Sequence, residues 1–333
     1  MDNSGQLTFE DSPLSTHFNE GLLYIQNGDL QKTLEVMEEI YKENPNFTGV
    51  VETIKSMKFW QNRWVKNFQF AEGYQRAEYL LKEWDNYDKF IQNSNIHYEK
   101  VIIYLKNFIF KSIIKNLVHS YQQSDVPNID VLLQIGEIFL SIEENQKAIE
   151  SLEYARLFNK KDSYLLSLLA DAYYRIDSID KAKVLFREAF LYDPQKIILS
   201  KIHCDFIRQL YDKIMEETGY SEGLILEWIG VYGVLLNVFH VKREINTDEL
   251  SKLNMEIQEF ENEFYGKKFN NEFILPKIIN RYFWLLDYYT LQNNNKDYID
   301  IYLNKLKEVN KHVYQQYVSL MERNSNEKVD NYE

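Results

Sequence analysis

Apolar positions between residues 166 and 189 fall into two helical faces. Leu166, Leu169, Ala170 and Tyr173 are spaced 3, 1 and 3, one side of a first helix, and Ala182, Phe186 and Ala189 form a matching side on a second. The polar stretch Asp177 to Asp180 supplies a turn between them, and Pro194 stops the second helix. A helical hairpin is therefore predicted over 163–194. Stepping back 34 residues, the same slots hold Leu132, Ile135, Gly136 and Phe139, then Ala148, Leu152 and Ala155, with Lys160 where the proline would stand. The residue types suit packing. Gly136, Ala148, Ala170 and Ala182 let two helices approach closely, while Phe139 and Tyr173 fill the adjoining space. A degenerate copy fits 14–45, with Gly21 and Tyr24 in its first helix, Thr33, Met37 and Ile40 in its second, and Pro45 at its end.

The same reading predicts helices over 47–68, 72–92, 97–121, 197–217, 221–241, 247–265, 272–291 and 296–321. A turn is expected at 293–296, a flexible N-terminus over 1–12 and a disordered polar tail over 322–333. Apolar content of 45%, with 25 Tyr and 20 Phe, fits a folded chain, and 5 Pro and 11 Gly are too few to punctuate a many-turned β protein.

The paired 34-residue units resemble the tetratricopeptide repeat (TPR) family, whose unit has large residues at four slots, small ones at three and a closing proline. Clear matches cover 129–160 and 163–194, about 70 residues, and 14–45 is the degenerate third. The resemblance implies an all-α, TPR-like helical-hairpin solenoid with additional long helices at its C-terminal end. The array would span 13–218, and a C-terminal helical region, 219–321, would pack on it. It also implies a concave groove that takes a peptide or helix of a partner. Leu133, Gln134, Glu137, Leu140 and Ser141 would line it in one repeat, and Ser167, Asp171, Tyr174 and Arg175 in the next. One TPR subclass grips chaperone C-terminal carboxylates with Lys and Asn at these slots. Here Leu133 and Ser167, then Glu137 and Asp171, stand there, and two carboxylates repel a third. A basic or mixed apolar partner segment is expected instead, with Tyr174 and Leu140 as anchors. The alternative is that the C-terminal helices fill the groove.

Net charge is −13, which opposes general attraction to nucleic acid or anionic lipid. The charge is uneven: residues 47–121 hold 11 Lys/Arg against 7 Asp/Glu, a net of +4, leaving −17 on the rest. Within that segment, Lys55, Lys58, Arg63 and Lys66 interleave with Phe59, Trp60, Trp64 and Phe68. Such interleaving serves single-stranded nucleic acid, but Trp60 and Trp64 at i, i+4 also mark a core face, and the core reading is preferred. Lys100, Lys111 and Lys115 share one face of the helix predicted over 97–121. The apolar run 223–241 approaches the length of a membrane span. Glu227, Asn237 and His240 interrupt it, so a buried helix with Gly230 and Gly233 at close approaches is expected rather than a span.

Cys204 is the single cysteine, which excludes an intramolecular disulfide, and the N-terminus lacks a signal-peptide pattern, so a cytoplasmic location is expected. The histidines His17, His97, His119, His203, His240 and His312 form no metal-ligand spacing, and no phosphate loop or nucleophile motif appears. His203 and Cys204 are adjacent, which on a helix points them apart. No catalytic residue, metal or cofactor is expected. The sequence points to a non-catalytic adaptor binding another protein. The alternatives are a regulatory or assembly subunit of a larger enzyme or transcription complex, and a single-stranded nucleic-acid binder through 55–115.

Overall fold

Three turns close in the same way. After α1 (Pro13–Gln26), α6 (Ile129–Ser141) and α8 (Ser163–Arg175), the backbone enters the left-handed region at Gly28, Glu143 and Asp177, with φ of 77°, 63° and 59°. The next N–H, of Asp29, Glu144 and Ser178, donates to the carbonyl of Tyr24, Phe139 and Tyr173 at 3.0, 2.9 and 2.9 Å. This is the Schellman closure, which satisfies a carbonyl left over at a helix end. The starts of α6 and α8 are also alike: Asn128 and Asp162, 34 residues apart, accept from the N–H of Val131 and Leu165. The computed structural model describes residues 12–124, 128–242, 244–266, 272–291 and 295–330, without the side chains of 324–330. Among them are 15 α-helices and no strand, the all-α class expected from the pattern.

The chain divides into two compact units, Met1–Glu144 and Asn145–Glu333. In the first, α1 pairs with α2 (Leu30–Glu43), α2 with α3 (Val50–Asn67), and α4 (Tyr74–Asn93) with α5 (Glu99–Gln122), while α5 also packs on α1 and α6. Gly21 is where α1 meets α2, because a Cβ there would come within 2.7 Å of Met37 Cε. An aromatic core fills the unit. Trp60 is fully buried, stacked on Trp84 at 6.0 Å and tilted against Tyr87 at 5.6 Å.

The second unit begins with α7 (Asn145–Phe158), which packs on α8, and α8 on α9 (Ile179–Tyr192). Ala148, Ala155, Ala170, Ala182, Phe186 and Ala189 are all fully buried, and Pro194 is buried just beyond α9. Leucine at 182 inserts bulk where the smallest side chain is needed. Ala182→Leu should therefore lower stability by about 1–3 kcal/mol in chemical denaturation. An unchanged midpoint would mean that the helices meet elsewhere.

Four boundaries differ from the sequence reading. The helix expected over 197–217 begins only as α10 (Asp205–Thr218), because residues 194–203 form two 3-10 turns and extended links held by bonds to α8. The helix expected over 221–241 ends early, as α11 (Glu222–Leu235). Asn237 turns left-handed at φ 58°, and the Phe239 N–H donates to Gly233 O at 2.8 Å. The span 296–321 is two helices, α14 (Lys296–Val309) and α15 (Lys311–Asp330). Asn310 separates them and accepts from the Val313 N–H at 3.0 Å. The helix continues to Asp330 where a disordered tail was expected, since no Gly or Pro stops it. The expected flexible N-terminus lies outside the described residues apart from Ser12, and the expected turn apart from Asn295 and Lys296.

The expected array 13–218 is also divided. The α6 residues Val131, Ile135 and Ile138 join the core of the first unit, whereas α11 and α13 (Ile274–Leu291) pack on α9 within the second. The remaining helix, α12 (Thr247–Tyr265), lies on α13 and starts at a capping box between Asn246 and Glu249. No helix among the described residues is long and apolar enough to cross a membrane. Glu227, which interrupts the longest apolar run, is buried with Gln195 and Lys277 on its carboxylate at 2.9 and 3.5 Å.

Candidate partner-binding surfaces

The predicted groove residues fall in both units: Leu133, Gln134, Glu137, Leu140 and Ser141 on α6, and Ser167, Asp171, Tyr174 and Arg175 on α8. On α6, Leu133, Gln134, Glu137 and Ser141 are half-buried and Leu140 is buried.

On α8 the residues are brought together, but by their own chain. Asp171 is 0% exposed, and its carboxylate accepts from the His203 backbone N–H at 2.7 Å and from Arg175 Nε at 2.8 Å. Arg175 Nη2 in turn is hydrogen-bonded to the His203 ring. Tyr174 donates to Asp205 at 2.9 Å and meets Phe206 edge-on at 5.7 Å. Ser167 is fully buried and donates to the Tyr164 carbonyl at 2.8 Å. The expectation that Ser167 and Asp171 line an open surface is thus corrected: residues 203–206, entering α10, cover that face. The long C-terminal helices were the expected alternative filler, yet α11 and α13 lie on α9 instead.

Sequence reasoning missed His203, Asp205 and Phe206 as the covering residues. A fixed sequence spacing cannot show them, because they act on α8 from about 30 positions away. Cys204 sits among them, fully buried, and burial pushes its thiol up to about 12, so the reactive thiolate is scarce at neutral pH. Thiol reagents should label Cys204 only when the protein is unfolded. Rapid labelling of the native chain by a charged disulfide reagent would contradict its placement.

Behind α8, α7 and α9 leave a cleft of about 410 Å³ lined by Glu153, Arg156, Tyr173, Lys181, Glu188 and Val241. Its polar groups already answer one another. Tyr173 donates to Glu153 at 3.0 Å, Arg156 lies 3.8 Å from Glu153 and 3.5 Å from Glu188, and Lys181 lies 5.0 Å above the Tyr173 ring. Burial first, and then the Glu153 carboxylate, raise the Tyr173 phenol above its usual value, which keeps it a donor. With Asp180 also on its lining, the cleft sets three carboxylates against Arg156 and Lys181 and is suited to hydrogen bonding.

In the first unit the basic-aromatic segment of α3 is largely spent on the core. Trp60 has no exposed face, Arg63 covers the Phe59 ring at 3.6 Å and pairs with Glu83 at 2.8 Å, and Lys58 pairs with Glu38 at 3.2 Å. Trp64 lies between Phe68, at 5.5 Å, and Phe108 of α5, at 4.5 Å. Phe68 remains 59% exposed. On α5, Lys100, Lys111 and Lys115 are all exposed.

Among the described residues, no group of three or more His, Cys, Asp and Glu could hold a metal ion. No protein-family model matches the chain, and none of the curated proteins compared with it matches either.

Proposed function

We propose that this chain is a non-catalytic, cytoplasmic adaptor that binds another protein through helical-hairpin surfaces resembling tetratricopeptide repeats. The observation that carries the reading is the recurrence, in phase, of one construction: cap, a buried small residue (Gly136, then Ala170) and left-handed turn at 128–143 and again at 162–177. Hairpins of this kind bury one face on each neighbour and leave ordered helix surfaces for recognition. With the Asp171 carboxylate engaged inside its own unit, the face of α8 is not where a partner first lands, and the exposed helices carry that role.

The experiment is affinity capture with the full chain at low and moderate salt, read by mass spectrometry and by nucleic-acid staining. Stoichiometric recovery of a protein is expected. Capture of nucleic acid alone would replace the reading with the nucleic-acid alternative.

A further inference from the structure

We propose that the exposed face of α5 is a docking surface for an acidic amphipathic segment of a protein partner, an inference that rests on the protein-binding reading above. Lys100, Lys111 and Lys115 lie within a narrow arc of the helix, with Ile103 and Phe108 between them at helical spacing. The three lysines and Ile103 are exposed, Ile103 by 52%. Nothing acidic answers the lysines from α5 itself, whose one carboxylate is Glu99. Lys106 points to the other side, where its charge acts on Asp88 of α4. Among the described residues, no ion pair is formed by Lys100, Lys111 or Lys115. They belong to a segment, 47–121, that is net positive in an acidic protein.

A mixed polar and aromatic seat stands at one end of this row and an aromatic one toward the other. Near Lys100, a cavity of about 320 Å³ is lined by Phe18, Phe47 and Tyr98, with Ser15, Asn19 and Lys100 also bordering it. Toward Lys111 and Lys115, Phe108 is backed by Trp64, which carries the exposed Phe68. Lys100 to Lys115 spans about 22 Å at 1.5 Å per residue, the length of about four helical turns. A surface that alternates cationic and apolar groups over that length complements a segment with carboxylates flanking apolar anchors. Single-stranded nucleic acid fits less well, because stacking needs open ring faces. Trp60 is buried, Trp64 is held between two rings, and Phe68 alone of the three is more than half exposed.

The test uses the full chain and three fluorescent probes: a peptide of about 18 residues with Leu or Phe at helical spacing and Glu elsewhere, its Lys-for-Glu counterpart, and an oligothymidylate of similar length. Anisotropy should show the acidic peptide binding at least about tenfold more tightly than either comparator, and more weakly as salt is raised. Lys111→Glu with Lys115→Glu should lose at least about tenfold of that affinity, with helical content and melting unchanged, since both side chains are solvated. Phe68→Ser should weaken it as well. Binding that ignores the double reversal, or an oligothymidylate that binds more tightly than the acidic peptide, overturns the proposal. Self-association of the parent chain that the reversal dissolves also overturns it, giving the surface to a second copy. A captured partner that ignores the reversal sinks this surface alone, whereas failure of the parent chain to capture any protein sinks the broader reading.

Discussion

Asp171→Lys is expected to destabilise the second unit by about 3–5 kcal/mol, enough to unfold many domains at body temperature. The carboxylate has no exposed surface and gathers two donors, the His203 N–H at 2.7 Å and Arg175 Nε at 2.8 Å. Removing it strands a backbone donor and a guanidinium that is itself mostly covered. Lysine then adds a like charge in the same space. Asp171→Asn separates the parts: it keeps an oxygen for the His203 N–H but loses the charge and the acceptor for Arg175 Nε, so a smaller cost of about 1–2 kcal/mol is expected. Urea denaturation followed by circular dichroism decides the matter. If the lysine variant unfolded at the parent midpoint, Asp171 would be an open-surface residue after all.

That single carboxylate also bears on recognition. A partner entering over α8 would first have to lift residues 203–206, breaking the bonds to Asp171, Arg175 and Tyr174. Such an opening draws on the stability of the unit before any new contact forms. The lysine face of α5 asks for no opening, since its charges are exposed. Long-range attraction therefore acts there first, and over a Debye length of about 8–10 Å it favours an acidic approach.

Much of the fold was legible because its signals are local. The hairpin at 163–192 is written in Ala170, Ala182 and Ala189, in the Asp162 cap and in the polar turn through Asp177, all within one helical repeat of each other. The lysine row of α5 could be read from spacing alone. What escaped depends on partners far along the chain. The stretch 197–203 has apolar residues at helical spacing, yet it is held out of a helix by Asp171, 32 residues before His203, and by Ser163, which accepts the Asp193 N–H at 2.8 Å. Asn310 carries a double meaning in sequence, since asparagine is tolerated inside a helix and favoured at its start, and tertiary packing chose the start. The burial of Asp171 escaped for the same reason as the late start of α10: both are one event, the chain after α9 folding back over α8.

Gly230→Ala is expected to cost about 2–5 kcal/mol, although it adds one methyl group. Gly230 lies on α11 where three helices meet. A Cβ there would overlap Asn280 Nδ2 and lie 3.0 Å from Asn280 Cγ and 3.3 Å from the Phe190 carbonyl. Asn280, on α13, is 2% exposed, so its short side chain has nowhere to swing. Its amide donates at 3.0 Å to that same carbonyl, one of the last of α9 and therefore without a partner inside its own helix. The methyl group forces either the helices apart or the amide away, and in the second case both a donor and an acceptor are left buried and unmet. Gly230→Ala combined with Asn280→Ala should recover the crowding part of the loss and leave the hydrogen-bond part, a non-additivity of about 1–3 kcal/mol in a double-mutant cycle. Strict additivity of the two substitutions would show that α11 and α13 do not meet at this point, and with it the docking of the C-terminal helices on α9 would fall.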